Sequence, residues 1–201
     1  MQHDVKRIGI SGGTFDPIHN GHLIIAEEIR EAMNLDKVLF IPTGTPPHKD
    51  ALNVTDMEHR YNMVMKAVCT NKHFEVSRID MERAGYTYTE DTLTDLKKIY
   101  GEDTKLYFII GADIIYDLVK WHNFRNVFAL CEFAACMRPG YDRDSFLRKI
   151  DELQRLYGAV IHICDVPLVD ISSTMIRDRL RKHKSIKYLV PESLEEYIYE
   201  N

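Results

Sequence analysis

Tryptophan occurs once and cysteine four times in the 201 residues. No apolar run approaches the roughly 18 residues that a membrane helix needs. Cys69, Cys131, Cys136 and Cys164 form no C-x-x-C pair and no zinc spacing. Three of them sit in apolar stretches, and all four are expected to be buried, reduced thiols of a cytoplasmic protein. Basic residues are not in excess: 26 Lys+Arg stand against 31 Asp+Glu, a net charge of −5. That balance argues against a nucleic-acid partner, which would leave a basic footprint, but allows a local basic pocket for a small anion. Residues 1–6 carry no apolar signal-peptide core, and no membrane partner is expected. Internal repeats, low-complexity stretches and linkers are absent. So are the dinucleotide fingerprint G-x-G-x-x-G and the P-loop G-x-x-x-x-G-K-[ST].

The length suits one domain spanning residues 1–201. With 45% hydrophobic and 28% charged residues, the chain can bury a full core without staples, and its composition argues against disorder. Short apolar runs cover residues 5–11, 37–41, 74–76, 106–110, 132–137 and 160–164. Such runs read as strands covered on both faces. Helical periodicity separates them. It appears in Ile25, Ile29, Ala32 and Met33, and in Tyr61, Val64, Met65 and Val68 behind a Thr55–Glu58 capping box. It returns in Leu93 and Leu96 after Thr89, and in Phe146, Ile150, Leu153 and Tyr157. It closes the chain with Ile176 and Leu180 behind an N-cap at Ser172, then Leu194 and Ile198 after Pro191 in a first turn. The alternation predicts an α/β fold, a doubly wound parallel sheet with a C-terminal helical segment. Ligands then bind at the carboxyl ends of the strands.

The first strand runs into Ser11-Gly12-Gly13-Thr14-Phe15-Asp16-Pro17-Ile18-His19-Asn20-Gly21-His22, and a helix follows at once. A strand-to-helix loop is where such folds hold phosphate. Gly12 and Gly13 lack a Cβ, so backbone N–H groups can approach an anion. His19 and His22 share a face at the helix start. They read as N–H donors to phosphate oxygens. A metal is the other reading of the pair, but no carboxylate or thiol accompanies them at ligand spacing.

This loop, Gly12 to Leu23, resembles the signature of the H-x-G-H nucleotidyltransferases. Within them the chain is similar to the bacterial nicotinate mononucleotide adenylyltransferases. The likeness continues through Pro46-Pro47-His48-Lys49, Gly85-Tyr86-Thr87-Tyr88-Thr89, Gly111-Ala112-Asp113, Trp121, Arg138-Pro139-Gly140 and Ile171-Ser172-Ser173-Thr174-Met175-Ile176-Arg177. The related phosphopantetheine enzymes carry Thr where His19 stands. One departure is Glu90-Asp91-Thr92, a residue longer than the step that the resemblance implies, and it is expected to shift the following helix start.

The resemblance implies a Rossmann-like nucleotidyltransferase fold. It implies ATP and nicotinate mononucleotide as partners, with Mg²⁺ arriving on ATP, held by phosphates and water rather than by a protein cage. The acceptor phosphate is already an anionic nucleophile, so no general base and no covalent intermediate are expected. The work is positioning and charge neutralisation. His19, His22 and Arg177 are the implied catalytic residues. Ser11, Gly12, Gly13, Phe15, Gly111, Asp113, Ser172, Ser173 and Thr174 are expected at ATP. Lys49, Thr87, Tyr116, Trp121 and Arg138 are expected at the mononucleotide.

Several have a plainer reading. Ser172 caps a helix, Asp113 caps another, Trp121 fills a core, Thr87 precedes a helix, Arg138 caps the sheet, and Lys49 and Arg177 are solvated. The basic run from Arg179 to Lys187 reads as a solvated helix end. Backbone N–H groups around Thr87 and between Tyr116 and Trp121 are the expected readers of a nicotinate carboxylate. An acceptor of another kind (nicotinamide mononucleotide, phosphopantetheine) and a non-catalytic nucleotide sensor are the alternative functions. A homo-oligomer is compatible with the sequence.

Overall fold

The computed structural model describes residues 6–45 and 54–201. Six strands form one parallel sheet: β1 (Arg7–Gly13), β2 (Lys37–Pro42), β3 (Phe74–Val76), β4 (Lys105–Gly111), β5 (Glu132–Cys136) and β6 (Ile161–Cys164). Their order is β3-β2-β1-β4-β5-β6. The chain moves outward from β1 to β3, then returns to place β4 against the other side of β1. The order therefore reverses between β1 and β4, and a crevice opens there beyond the carboxyl ends.

Alternate residues of each strand point to opposite faces, and both faces are apolar. Ile8, Ile10, Leu39, Ile41, Phe108 and Phe133 enter one core. It is covered by α3 (Thr89–Tyr100), α5 (Phe124–Leu130) and α6 (Arg143–Tyr157). Val38, Phe40, Tyr107 and Ala134 enter the other. That one is covered by α1 (Asn20–Ala32), α2 (Met57–Val68), α7 (Ser173–Arg181) and α8 (Glu192–Glu200). Phe40 and Phe133 have no exposed surface, and burying such a side chain contributes about 1.5–3 kcal/mol. Among the described residues, no helix is long and apolar enough to cross a membrane.

All six expected strands form, and the differences lie at their edges. β1 continues through Gly12 and Gly13, which pair with Ile41 and Pro42, so both glycines belong to the strand end. The Thr55–Glu58 capping box does not form. Asp56 caps α2 instead, accepting from the Glu58 amide at 2.8 Å. The Thr55 carbonyl is taken by Arg60, and the Glu58 carboxylate pairs with Arg78. Pro191 is the N-cap of α8, one position before the first turn. Cys69 is exposed rather than buried, because it lies past the packed face at the end of α2. Helix α3 starts at Thr89, directly before the Glu90-Asp91-Thr92 step. The short α4 (Ala112–Ile115), a 3₁₀ turn (Leu118–Lys120) and α5 fill the stretch between β4 and β5. Phe124, Val127 and Phe128 at i, i+3 and i+4 are the signal that would have found α5.

Candidate active site

The loop after β1 carries its aromatic residues inward. Phe15 sits at φ 51°, is buried, and meets the His22 ring edge-on with centroids 5.2 Å apart. It lines neither cavity described below and supports His22 from behind. His19 is the N-cap of α1, and its ring stacks on His22 at 3.7 Å. The His19 amide donates to His22 Nδ1 at 3.2 Å. An imidazole that accepts at Nδ1 carries its proton on Nε2, so neutral His22 is an Nε2–H donor. Burial, with Arg138 second, pulls the His19 pKa down to about 4. Burial, then His19 and Arg138, holds His22 well below the ordinary imidazole value. Both rings are therefore neutral at pH 7, and stacking two imidazoliums would be costly. Gly21 leaves room for this pair, since a Cβ there would stand 3.0 Å from His19 Nδ1 and crowd its ring.

Two cavities meet beside His22. The larger, about 310 Å³, lies over the strand-order reversal between Gly12 and Gly13 of β1 and Gly111 of β4. Thr87, Thr89 and Trp121 line its far side. Trp121 packs edge-on against Phe108 at 5.6 Å. The smaller, about 210 Å³, is lined by His19, Met137, Pro139, Tyr141 and Ser172. Both cavities share His22, Ile25, Asp113 and Arg138. At the junction Arg138 and Asp113 form an ion pair, Nε to Oδ1 and Nη1 to Oδ2 each at 3.3 Å. A side chain at Gly111 would run into both.

Among the described residues, three buried side-chain polar atoms have no hydrogen-bond partner: His19 Nδ1, Thr87 Oγ1 and Asp113 Oδ1. All three line these two cavities. Native interiors rarely leave such atoms unpaired, so their concentration here marks a place where a polar ligand completes the bonding.

A cytidylyltransferase-like family model matches residues 10–179. A protein of Thermoanaerobacter sp. X514, named "probable nicotinate-nucleotide adenylyltransferase", is 50% identical over 192 residues, 96% of this chain and 91% of its own. One of the same name from Desulfitobacterium hafniense DCB-2 is 48% identical over 198 residues, 97% and 94% of the two chains. The chain belongs to the nicotinate-nucleotide adenylyltransferase family. The fold also matches that of Plasmodium falciparum nicotinic acid mononucleotide adenylyltransferase complexed with NaAD. There the TM-score is 0.76 at 23% identity, covering 98% of this chain and 96% of that one.

In this family member the expected site residues divide. His19, His22, Ser11, Gly12, Gly13, Gly111, Asp113, Thr87, Trp121, Arg138 and Ser172 come together around the two cavities. Arg177 does not. Its Nη1 donates to the Asp16 carbonyl and its Nη2 lies 3.4 Å from Thr174 Oγ1. It lines a separate cavity with Pro17 and His59. Ser173 Oγ donates to the Pro17 carbonyl at 2.9 Å, and Thr174 is exposed. Ser172 caps α7, accepting from the Met175 amide at 3.1 Å. Tyr116 stacks with Tyr141 at 6.3 Å, which puts it beside the smaller cavity rather than in the larger one. Lys49 lies outside the described residues.

The expected carboxylate readers also need correction. The Thr87 amide donates to the Thr45 carbonyl and the Trp121 amide to the Leu118 carbonyl, both at 3.2 Å. The free groups on that side are the Thr87 hydroxyl and the start of α3, whose N-cap Tyr88 makes no side-chain cap.

Sequence reasoning missed Asp80, a buried acid on the wall of the larger cavity. It accepts from Thr92 Oγ1 at 2.5 Å, and Arg83 approaches at 3.5 Å. Nothing local distinguishes it from a surface acid, because its partner Thr92 is supplied by a different element. Burial raises its pKa from 3.8 to about 6. The folded state thus binds more protons than the unfolded state between these values. Ionisation costs stability above about pH 6, and the cost is relieved as the pH falls toward 3.8. Asp80→Asn is therefore expected to stabilise the protein at pH 8 by up to about 3 kcal/mol, fading toward pH 4. Thermal melts of both proteins across this range check it; a gain that does not depend on pH would contradict it.

Proposed function

We propose that the protein transfers the adenylyl group of ATP to nicotinate mononucleotide, giving nicotinate adenine dinucleotide and pyrophosphate. The observation that carries this reading is the meeting of two cavities at one polar junction. The larger takes the acceptor nucleotide, the smaller takes ATP, and their phosphates converge on His22, Arg138 and Asp113.

The acceptor phosphate oxygen attacks the α-phosphorus, the bond to the bridging oxygen breaks, and pyrophosphate leaves. No proton has to be removed from the nucleophile at neutral pH. The obstacle is repulsion between anions, so donors aimed at the phosphates do the work. His22 offers Nε2–H without needing an extra proton. Arg138 offers a planar guanidinium, and the Gly12–Gly13 strand end lets backbone approach. Mg²⁺ fits as a companion of ATP: Asp113 Oδ1, buried, held by the Arg138 ion pair and without a hydrogen bond, would suit a water of a phosphate-bound ion, which would spread the charge of the leaving group.

Intact junction residues favour an enzyme over a nucleotide sensor. The test is pyrophosphate release from ATP with nicotinate mononucleotide, nicotinamide mononucleotide and phosphopantetheine offered separately. The expected result is fast release with the first. Release with phosphopantetheine alone, or with none, would overturn the reading.

A further inference from the structure

Arg60, on the first turn of α2, is 2% exposed. Among the described residues its guanidinium makes no hydrogen bond to a carboxylate and spends its donors on main-chain carbonyls. Nε donates to Thr55 at 2.9 Å, Nη1 to Thr14 at 2.9 Å and to Thr43 at 2.7 Å, and Nη2 to Gly44 at 3.2 Å. Burial pulls its pKa down while Asp16 and Asp56 hold it up, and an arginine stays charged throughout. Burying a guanidinium this way is costly unless its donors are used, and four of its five N–H groups have these partners.

The carbonyls it joins belong to two different walls of the site. Thr14 lies on the loop between the β1 glycines and His19. Thr43 and Gly44 follow β2 and lead to Thr45, whose carbonyl accepts the Thr87 amide at 3.2 Å. Gly44 itself lies against Asp80 and Thr87: a Cβ there would run into the Asp80 carbonyl and stand 3.2 Å from Thr87 Oγ1. Arg60 lines neither cavity, yet it is bonded to the segment that leads to the histidines and to the segment whose Thr45 carbonyl holds the Thr87 amide.

We propose that Arg60 is a positioning residue of the transfer: it sets the offset between the histidine loop and the Thr87 wall, and so aligns the acceptor phosphate with the α-phosphorus of ATP. The inference rests on the transferase reading above. Each substrate is still held by its own wall when the link is loosened, but the line of attack is lost. Displacements near 1 Å, caused from a distance, cost about 10²-fold in rate. Lysine keeps the charge but not the fork that spans these carbonyls.

The experiment compares wild type, Arg60→Lys and Arg60→Met at a temperature where circular dichroism shows each folded. Steady-state kinetics are combined with calorimetric titration of nicotinate mononucleotide to count sites. The expected result is a kcat per titrated site lowered about 10–100-fold in the Lys variant and further in the Met variant, with both KM values within about threefold of wild type. A purely structural role would reduce the number of sites and leave kcat per site unchanged, and that result would overturn the proposal. So would failure of both variants to fold. If wild type itself makes no dinucleotide, the transferase reading fails; if wild type is active and the variants match it, only the role of Arg60 fails.

Discussion

His22→Ala is expected to lower kcat by about 10²–10³-fold while changing ATP affinity little. Losing one preorganised donor aimed at developing charge typically has an effect of this size. The geometry says why His22 should act this way. Its Nδ1 is occupied by the His19 amide, its ring is wedged between His19 and Phe15, and its Nε2–H is left for the junction of the two cavities. Orientation and tautomer are set before substrate arrives, so no reorganisation is needed during transfer. With ATP in the smaller cavity, as proposed, its ground-state binding would be shared among many groups there, and little of it would depend on this one. Steady-state kinetics and a separate titration with ATP read the two effects. A near-normal kcat would remove His22 from the chemistry, and an equal loss in binding and rate would make it a binding residue only.

Nicotinate mononucleotide is expected to exceed the nicotinamide form in kcat/KM by about a hundredfold. The acceptors differ only by a carboxylate and a carboxamide, so size and contact with Trp121 cannot separate them. The larger cavity meets the start of α3 at Thr89, where first-turn amides lack intrahelical partners and no side chain caps them. Those amides only donate. A carboxylate accepts from them, whereas an amide presses its NH₂ against one and leaves it unpaired, at about 1–3 kcal/mol. The positive end of the helix dipole adds about 0.3–1 kcal/mol. At 1.4 kcal/mol per decade, the sum of about 1.3–4 kcal/mol spans about 10-fold to 700-fold, and a hundredfold lies near its middle. Asp80 opposes it, but the Thr92 hydroxyl and Arg83 draw on its charge. Trp121→Ala, the control, is expected to weaken both acceptors and keep most of the ratio. Comparable kcat/KM values for the two mononucleotides in the wild-type enzyme would mean that α3 does not read this group.

The sheet and the histidine loop were legible for one physical reason: both are written in contiguous residues. Six apolar runs announced six strands, and Gly12-Gly13 with His19 and His22 announced a phosphate loop. What stayed hidden depends on partners far apart in the chain. Asp80 acquires its character from Thr92 and from burial, Arg60 from carbonyls of three separate segments, and the Thr87 amide is used up by Thr45. Arg177 follows the expected helix cap, yet its guanidinium turns to the Asp16 carbonyl rather than to the cavities. The capping box failed because Asp56 stands next to Thr55 and caps α2 in its place.

A single-turnover reaction with ATP labelled at the α-phosphorus, nicotinate mononucleotide and Mg²⁺ tests the transfer most directly. The label is expected to pass into nicotinate adenine dinucleotide, one equivalent per pyrophosphate released, with none retained on the protein. Label recovered as AMP alone, or bound covalently to the chain, would contradict direct attack of the acceptor phosphate at the junction of the two cavities.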